Sequence, residues 1–252
     1  MRLNRFFTDR RNLRIGSSVK LSDADITHIK KVLRLKRGDK VLVFNGEREY
    51  LAVLTLVSKD VVLVKLEELL KETAPDSNEL KFTLFQGLLR AGKFDTIIEK
   101  TTELGISSIV PLECDFSQTK VDVVERKLDR WNKLAMSAAK QSERIDVPTI
   151  ENGIVFKELG PELKNYDRVY FFTIPRNKIP ESLDVKSLTK IKGNSKAKRV
   201  AFVVGPEGGF SPREHEWAKE WKTEFVHFDA PVLRAETAAI VITALMHFIY
   251  SK

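Results

Sequence analysis

The chain has 252 residues, 42% hydrophobic and 31% charged, with a net charge of +8. That length suggests one large or two small domains, and the balance is that of a globular protein with enough apolar residues for a core. No apolar run approaches the roughly 18 residues that a membrane-spanning helix needs, Met1–Phe7 lacks the apolar core of a signal peptide, and a single cysteine, Cys114, excludes an internal disulfide framework and fits a reducing cytoplasm.

The charge is unevenly placed. Residues 1–40 hold twelve Lys and Arg against four acids, whereas the other 212 residues balance. A basic segment beside a neutral one is an electrostatic footprint for a polyanion, and its bland alternative is a solvated basic face. Ser22-Asp23-Ala24-Asp25 caps a short helix with Ile26, Ile29, Val32 and Leu33 on one face, stopped by Gly38-Asp39. Lys40–Phe44 reads as a strand, Asn45-Gly46 as a two-residue hairpin turn, and Glu47–Val57 as the return strand. Ser58-Lys59-Asp60 then turns into Val61–Leu66. This meander predicts a small, mostly antiparallel barrel over residues 1–72. The polar, proline-containing stretch Lys71–Glu79 supplies a linker, placed at 73–79.

From residue 80 the pattern changes to alternating strands and helices. Strands are expected at Lys81–Gln86, Ile106–Pro111, Val169–Ile174, Arg199–Val204 and Glu224–Phe228. Helices are expected at Lys93–Leu104, Val123–Glu143, Pro212–Trp221 and Glu236–Tyr250. The fold class is therefore α/β, with a mostly parallel sheet covered by helices in a domain spanning 80–252. Pro175-Arg176-Asn177 breaks the strand that precedes it.

One loop concentrates the interest. Val203-Val204-Gly205-Pro206-Glu207-Gly208-Gly209-Phe210-Ser211-Pro212 runs from a buried-type strand through a glycine-dense turn to a helix start, and Ser211 with Glu214 forms a capping box. Strand ends that meet helix N-termini are where α/β sheets hold ligands, and bare backbone admits close approach. The spacing is neither a dinucleotide fingerprint nor a P-loop, and the Glu207 carboxylate would repel a phosphate. An uncharged or cationic ligand fits better. A second loop, Ala230-Pro231-Val232-Leu233-Arg234-Ala235-Glu236-Thr237-Ala238, leads into the last helix and taken alone is a helix cap.

Together, Gly-Pro-Glu-Gly-Gly-Phe and the later Leu-Arg-x-Glu-Thr-Ala resemble the RsmE family of 16S rRNA N3-uridine methyltransferases, of the SPOUT class. Other stretches match in order: Arg5-Phe6-Phe7, His28, Val32-Leu33-Arg34 with Gly38-Asp39, Asn45-Gly46, Lys100 with Glu103-Leu104-Gly105, and Ala138-Ala139-Lys140-Gln141-Ser142, then Arg144 and Val147-Pro148. At one place the match departs, where Phe228-Asp229 stands for a usual Leu-Gly pair. The resemblance implies an N-terminal PUA-like RNA-binding barrel and a C-terminal domain with a trefoil knot. It also implies a cytoplasmic homodimer paired through the knot and a role in ribosome biogenesis through rRNA processing.

S-adenosylmethionine is the implied cofactor, and its sulfonium agrees with the argument from Glu207. The implied cofactor residues are Thr173, Gly205, Pro206, Glu207, Gly208, Gly209, Phe228, Leu233 and Thr237. The partner is 16S rRNA or the small ribosomal subunit, with Arg5, Arg10, Arg11, Arg14, Lys30, Lys31, Arg34 and Arg144 as expected RNA contacts.

Methyl transfer to uracil N3 is mainly a positioning problem. Loss of the N3 proton puts charge on the ring carbonyls, which a guanidinium stabilises. Arg234 is the first choice for that role and Arg5 the second, with Glu236 or water as the base. The alternative for Arg234 is a salt bridge to Glu236 or Glu207. No metal is expected, because His28, His215, His227, His247 and Cys114 lack ligand spacing. Trp131, Trp217 and Trp221 sit at core spacing. Two rivals stay open: a non-catalytic RNA-binding assembly factor, and a methyltransferase acting on another RNA base.

Overall fold

A computed structural model describes residues 3–73, 80–90, 92–173, 182–191, 197–221, 223–228 and 231–250. It divides into two compact units, residues 1–77 with 139–147 and residues 78–138 with 148–252. The expected boundary ran straight from 1–72 to 80–252. Instead the segment 139–147 clusters with the first unit, while linker residues 74–79 lie outside the described residues.

The first unit is a five-stranded sheet. Its strands are β1 (Arg5–Phe7), β2 (Ser18–Lys20), β3 (Lys40–Phe44), β4 (Arg48–Val57) and β5 (Val62–Glu72), in the order β1-β3-β4-β5-β2. β3, β4 and β5 form the antiparallel meander, and β1 adds in parallel to β3. Asn45 Oδ1 accepts the backbone N–H groups of Glu47 and Arg48, and Gly46 takes φ 95°, so the turn is closed by a side chain. β5 runs to Glu72, well past the expected Leu66, because it continues pairing with the start of β4, Lys71 opposite Glu49 and Glu72 opposite Arg48. Val19, Val41, Val43, Ala52, Leu54, Val64 and Leu66 fill the core with Phe6, Ile26 and Ile29.

The short helix differs from its expected form. α1 (Asp23–Thr27) is α-helical and capped by Ser22, but His28–Leu33 continues as a π-helix and ends with Arg34 at φ 53°. The wider turn changes the angular step per residue. Ile26 and Ile29 stay buried, whereas Val32, expected on the same face, is 65% exposed.

The second unit is an eight-stranded sheet in which every pairing is parallel. Its central strands are β6 (Lys81–Gly87), β7 (Ser108–Glu113), β10 (Arg168–Thr173), β12 (Arg199–Val204) and β13 (Glu224–His227). The short β8 (Thr149–Ile150), β9 (Ile154–Val155) and β11 (Leu183–Asp184) extend its edges, giving the order β11-β13-β10-β12-β6-β7-β8 with β9 also on β7. The long strands are near-continuous apolar runs because both faces are covered. On one face α2 (Lys93–Glu103) packs on α6 (Ala235–Tyr250), with the Tyr170 and Tyr250 hydroxyls 2.7 Å apart. On the other, Phe85, Leu112, Phe171 and Val203 meet Phe156, Leu159 and Ala218 from the region of α4 (Leu159–Leu163) and α5 (Pro212–Glu220). α3 (Glu125–Gln141) places Trp131 against Phe94, ring centroids 4.5 Å apart, with Nε1–H donating to Asp95. Among the described residues no helix is long and apolar enough to cross a membrane, and no His, Cys, Asp and Glu group could hold a metal.

Candidate functional site

The ends of β13, β10 and β12 lie side by side, Phe172 registering with Val204 on one flank and Thr173 with His227 on the other. Beyond these C-terminal ends opens a cavity of about 340 Å³, a small-molecule size in the place an α/β sheet provides for one. Phe172, Thr173 and Phe228 come from the strand ends, and Gly205, Pro206, Glu207, Gly209 and Phe210 from the glycine loop. Pro231 to Ala235, Ala238 and Ile242 close the side toward α6, while Lys93 and His215 come from α2 and α5.

Local chemistry fixes these walls. Gly209 takes φ 72°, a conformation that favours glycine. The α5 capping box forms as expected. Ser211 Oγ accepts from Glu214 N–H at 3.2 Å, and Glu214 Oε2 accepts from Ser211 N–H at 2.8 Å. The other Glu214 oxygen accepts the Asp115 N–H at 2.8 Å, so this fully buried carboxylate ties the loop after β7 to the glycine loop. Burial raises the Glu214 carboxyl above its ordinary range, against the pull of those two N–H donors. Below the loop, Gly87 ends β6. A Cβ there would lie 2.4 Å from Pro206 N, so only glycine lets the loop descend to that depth. The neighbouring Gln86 steadies the same point by donating to the Gly87 and Gly205 carbonyls.

Thr173 Oγ1 in the cavity wall is buried without a hydrogen bond among the described residues, and so is Oε2 of Glu236, which stands in the first turn of α6 and is not among the residues lining the cavity. Buried polar atoms in folded proteins are almost always paired. An orphaned hydroxyl in the wall of an apolar cavity is what a bound polar molecule would satisfy. Glu236 Oε2 has only an ion pair, with Lys93 Nζ at 3.7 Å, and the same ammonium donates to Glu207 at 3.1 Å.

Seven of the nine expected cofactor residues line this cavity: Thr173, Gly205, Pro206, Glu207, Gly209, Phe228 and Leu233. Gly208 and Thr237 do not. Gly208 is needed elsewhere, since a Cβ on it would meet Phe116 Cβ at 2.8 Å, and Thr237 faces solvent from the first turn of α6. Asp229, Ile174 and Pro175-Arg176-Asn177 lie outside the described residues.

Arg234 is exposed at the cavity wall, and its guanidinium has no hydrogen bond or ion pair among the described residues. The carboxylates that were its alternative partners, Glu207 and Glu236, belong to Lys93 instead. Lys93 is the residue that sequence reasoning missed. The available signal was a lysine at the first residue of a helix, where the macrodipole disfavours a cation unless carboxylates compensate it.

Arg5 is a correction. Its guanidinium, 5% exposed, pairs with Glu49 through Nε at 2.7 Å and Nη2 at 2.5 Å. It also donates to the carbonyls of Ala139, Lys140 and Arg144 and stacks on Phe44. Every donor of the fork is engaged within the first unit, which leaves none for a uracil or a phosphate. Arg144 is likewise mostly buried and paired with Asp146. The other expected RNA contacts, Arg10, Arg11, Arg14, Lys30, Lys31 and Arg34, are exposed on the first unit. Cys114 is buried, and burial raises its thiol well above the usual range.

Residues 76–247 match the family model of the RNA methyltransferase domain, and residues 21–67 match that of the RNA methyltransferase PUA domain. The ribosomal RNA small subunit methyltransferase E of Rickettsia conorii is 31% identical over 254 residues, covering 100% of this chain and 98% of that protein. Its counterpart in Aquifex aeolicus is 27% identical, covering 96% and 99%. A crystal structure of a ribosomal RNA small subunit methyltransferase E from Neisseria gonorrhoeae bound to S-adenosyl methionine aligns with a TM-score of 0.81 at 27% identity. It covers 99% of this chain and 98% of that one.

Proposed function

The chain belongs to the ribosomal RNA small subunit methyltransferase E family, and from that membership we propose that it methylates N3 of one uridine in the decoding region of 16S rRNA, with S-adenosylmethionine as methyl donor. One observation carries the reading. A cavity of small-molecule size lies at the C-terminal ends of three adjacent parallel strands, and the buried Thr173 hydroxyl in its wall has no partner among the described residues. The residues present fit the cofactor. Phe172, Phe210 and Phe228 supply apolar surface, Gly205 and Gly209 supply approachable backbone, and Glu207 brings negative charge suited to a cation.

When bound, the cofactor supplies an electrophilic sulfonium methyl group. The rest falls to this chain. Arg234, exposed and without a partner among the described residues, would hydrogen-bond the uracil carbonyls as the N3 proton leaves for Glu236 or for water. The N3 lone pair would take the methyl carbon while the carbon–sulfur bond breaks and its electron pair stays on the departing neutral thioether. Lys93 holds Glu207 and Glu236 toward one point, which fixes the two cofactor loops to α2. The exposed arginines and lysines of the N-terminal unit, read as an RNA-binding barrel, track phosphates. Family membership also supports a trefoil knot in the second domain, a cytoplasmic homodimer paired through it, and a role in rRNA processing.

The test is to incubate the purified protein with S-adenosylmethionine and small ribosomal subunits lacking the modification, then map the RNA by mass spectrometry. A single added methyl on a decoding-region uridine is expected. A methyl on a different base would replace the proposed target, and binding of RNA without any methyl transfer would favour an assembly factor.

A further inference from the structure

His215 is the fourth residue of α5 and part of the cavity wall, 9% exposed. Its ring is held by Phe171, Phe210 and Phe225, with centroids 5.9, 5.9 and 6.4 Å away. Nδ1 lies 2.9 Å from Ser211 O, and a carbonyl oxygen only accepts, so Nδ1 carries the proton and Nε2 presents its lone pair. Nε2 has no hydrogen bond among the described residues, so the Ser211 carbonyl fixes the tautomer and the packing fixes the plane of an acceptor that none of those residues uses.

The surroundings favour the neutral ring. It stands in the first turn of a helix, where the macrodipole opposes a cation, and the strands and loop against it offer phenyl rings. Burial lowers its affinity for a proton, with Lys219 acting the same way and the Ser211 carbonyl and Glu216 opposing. The other charged groups near it are Glu214 on its own helix and Glu207, Lys93 and Arg234 on the elements that line the cavity.

We infer that His215 is a specificity-determining residue of this cavity, its Nε2 accepting a hydrogen bond from an N–H donor of the bound cofactor. Cofactor binding then requires the neutral imidazole, because protonation turns the acceptor into a donor and adds a cation beside a cationic ligand. The inference rests on the reading of the cavity as the S-adenosylmethionine site. The sign follows directly: affinity is full where the imidazole is neutral and falls as pH drops below the ordinary histidine range.

The test is calorimetric titration with S-adenosylmethionine at about pH 7.5 and about pH 5.5 on three proteins. The wild type is expected to lose affinity on acidification, by less than about 10-fold, because burial already lowers the proton affinity of the ring and only part of it charges at the lower pH. His215→Gln keeps an uncharged acceptor near the Nε2 position and should bind with little pH response. His215→Phe preserves the aromatic packing, removes the acceptor, and should bind about 10-fold more weakly than wild type at the higher pH. The inference is overturned if His215→Gln keeps the wild-type pH response, or if His215→Phe binds as tightly as wild type at the higher pH. The glutamine variant carries the test by itself should the phenylalanine variant not fold. Absence of wild-type binding at either pH would instead overturn the cofactor reading of the cavity, and this inference with it.

Discussion

Arg5 in the first unit and Arg234 in the second have the same side chain in opposite circumstances. Arg5 is buried, with its whole fork engaged by one carboxylate and three carbonyls. Arg234 is exposed beside a cavity with no partner among the described residues. A guanidinium with every donor satisfied holds structure together, and a bare one in the wall of a cavity that also holds an orphaned hydroxyl is available for chemistry. Both arginines were drawn from the sequence as candidates for the same catalytic role, and only their hydrogen bonds separate them.

The contrast breaks most readily at Arg5. Arg5→Met keeps the aliphatic stem but strands Glu49, which is 2% exposed and left with only Lys71 at 3.5 Å. Breaking a buried pair in this way should cost about 3–5 kcal/mol, read as a lower denaturant midpoint in chemical unfolding. A variant as stable as wild type would return Arg5 to the list of functional residues.

Arg234→Lys tests the other half. It keeps a cation and loses the planar fork. Single-turnover methylation should slow by about 100-fold, with the melting temperature unchanged because the side chain is exposed. Near-normal turnover would remove Arg234 from the mechanism.

The smallest effect separates binding from folding within the cavity itself. Thr173→Val removes a hydroxyl that nothing in the described protein pairs. Stability should hold or rise slightly, while affinity for S-adenosylmethionine falls about 10-fold. A loss of stability with unchanged affinity would mean that the hydroxyl serves the fold.

What could be read from the sequence was what short range determines. The capping box at Ser211 and Glu214, the boundaries of Arg199–Val204 and the parallel alternation all follow from neighbours a few residues apart. Of the seven cavity residues, those of the glycine loop could be read locally, whereas Thr173, Phe228 and Leu233 came from the family resemblance. The misses have a different origin. Lys93 gains its meaning from Glu207 and Glu236, each more than a hundred positions away, and Arg5 from carbonyls of a segment equally distant. Thr237 and Val32 turn on the angular phase of a helix, which a helix start or a π-turn shifts without any change in composition.

Gly87 has a consequence for how this cavity could be altered by mutation. The residue is no part of the cavity wall, yet a single methyl group on it would collide with the backbone nitrogen of Pro206. Substitution along the glycine loop would therefore sample a family of pockets that all share one inherited depth. That depth is set by the last residue of another strand, so a redesigned or drifting sequence can change what the pocket is lined with far more freely than how far down its loop reaches.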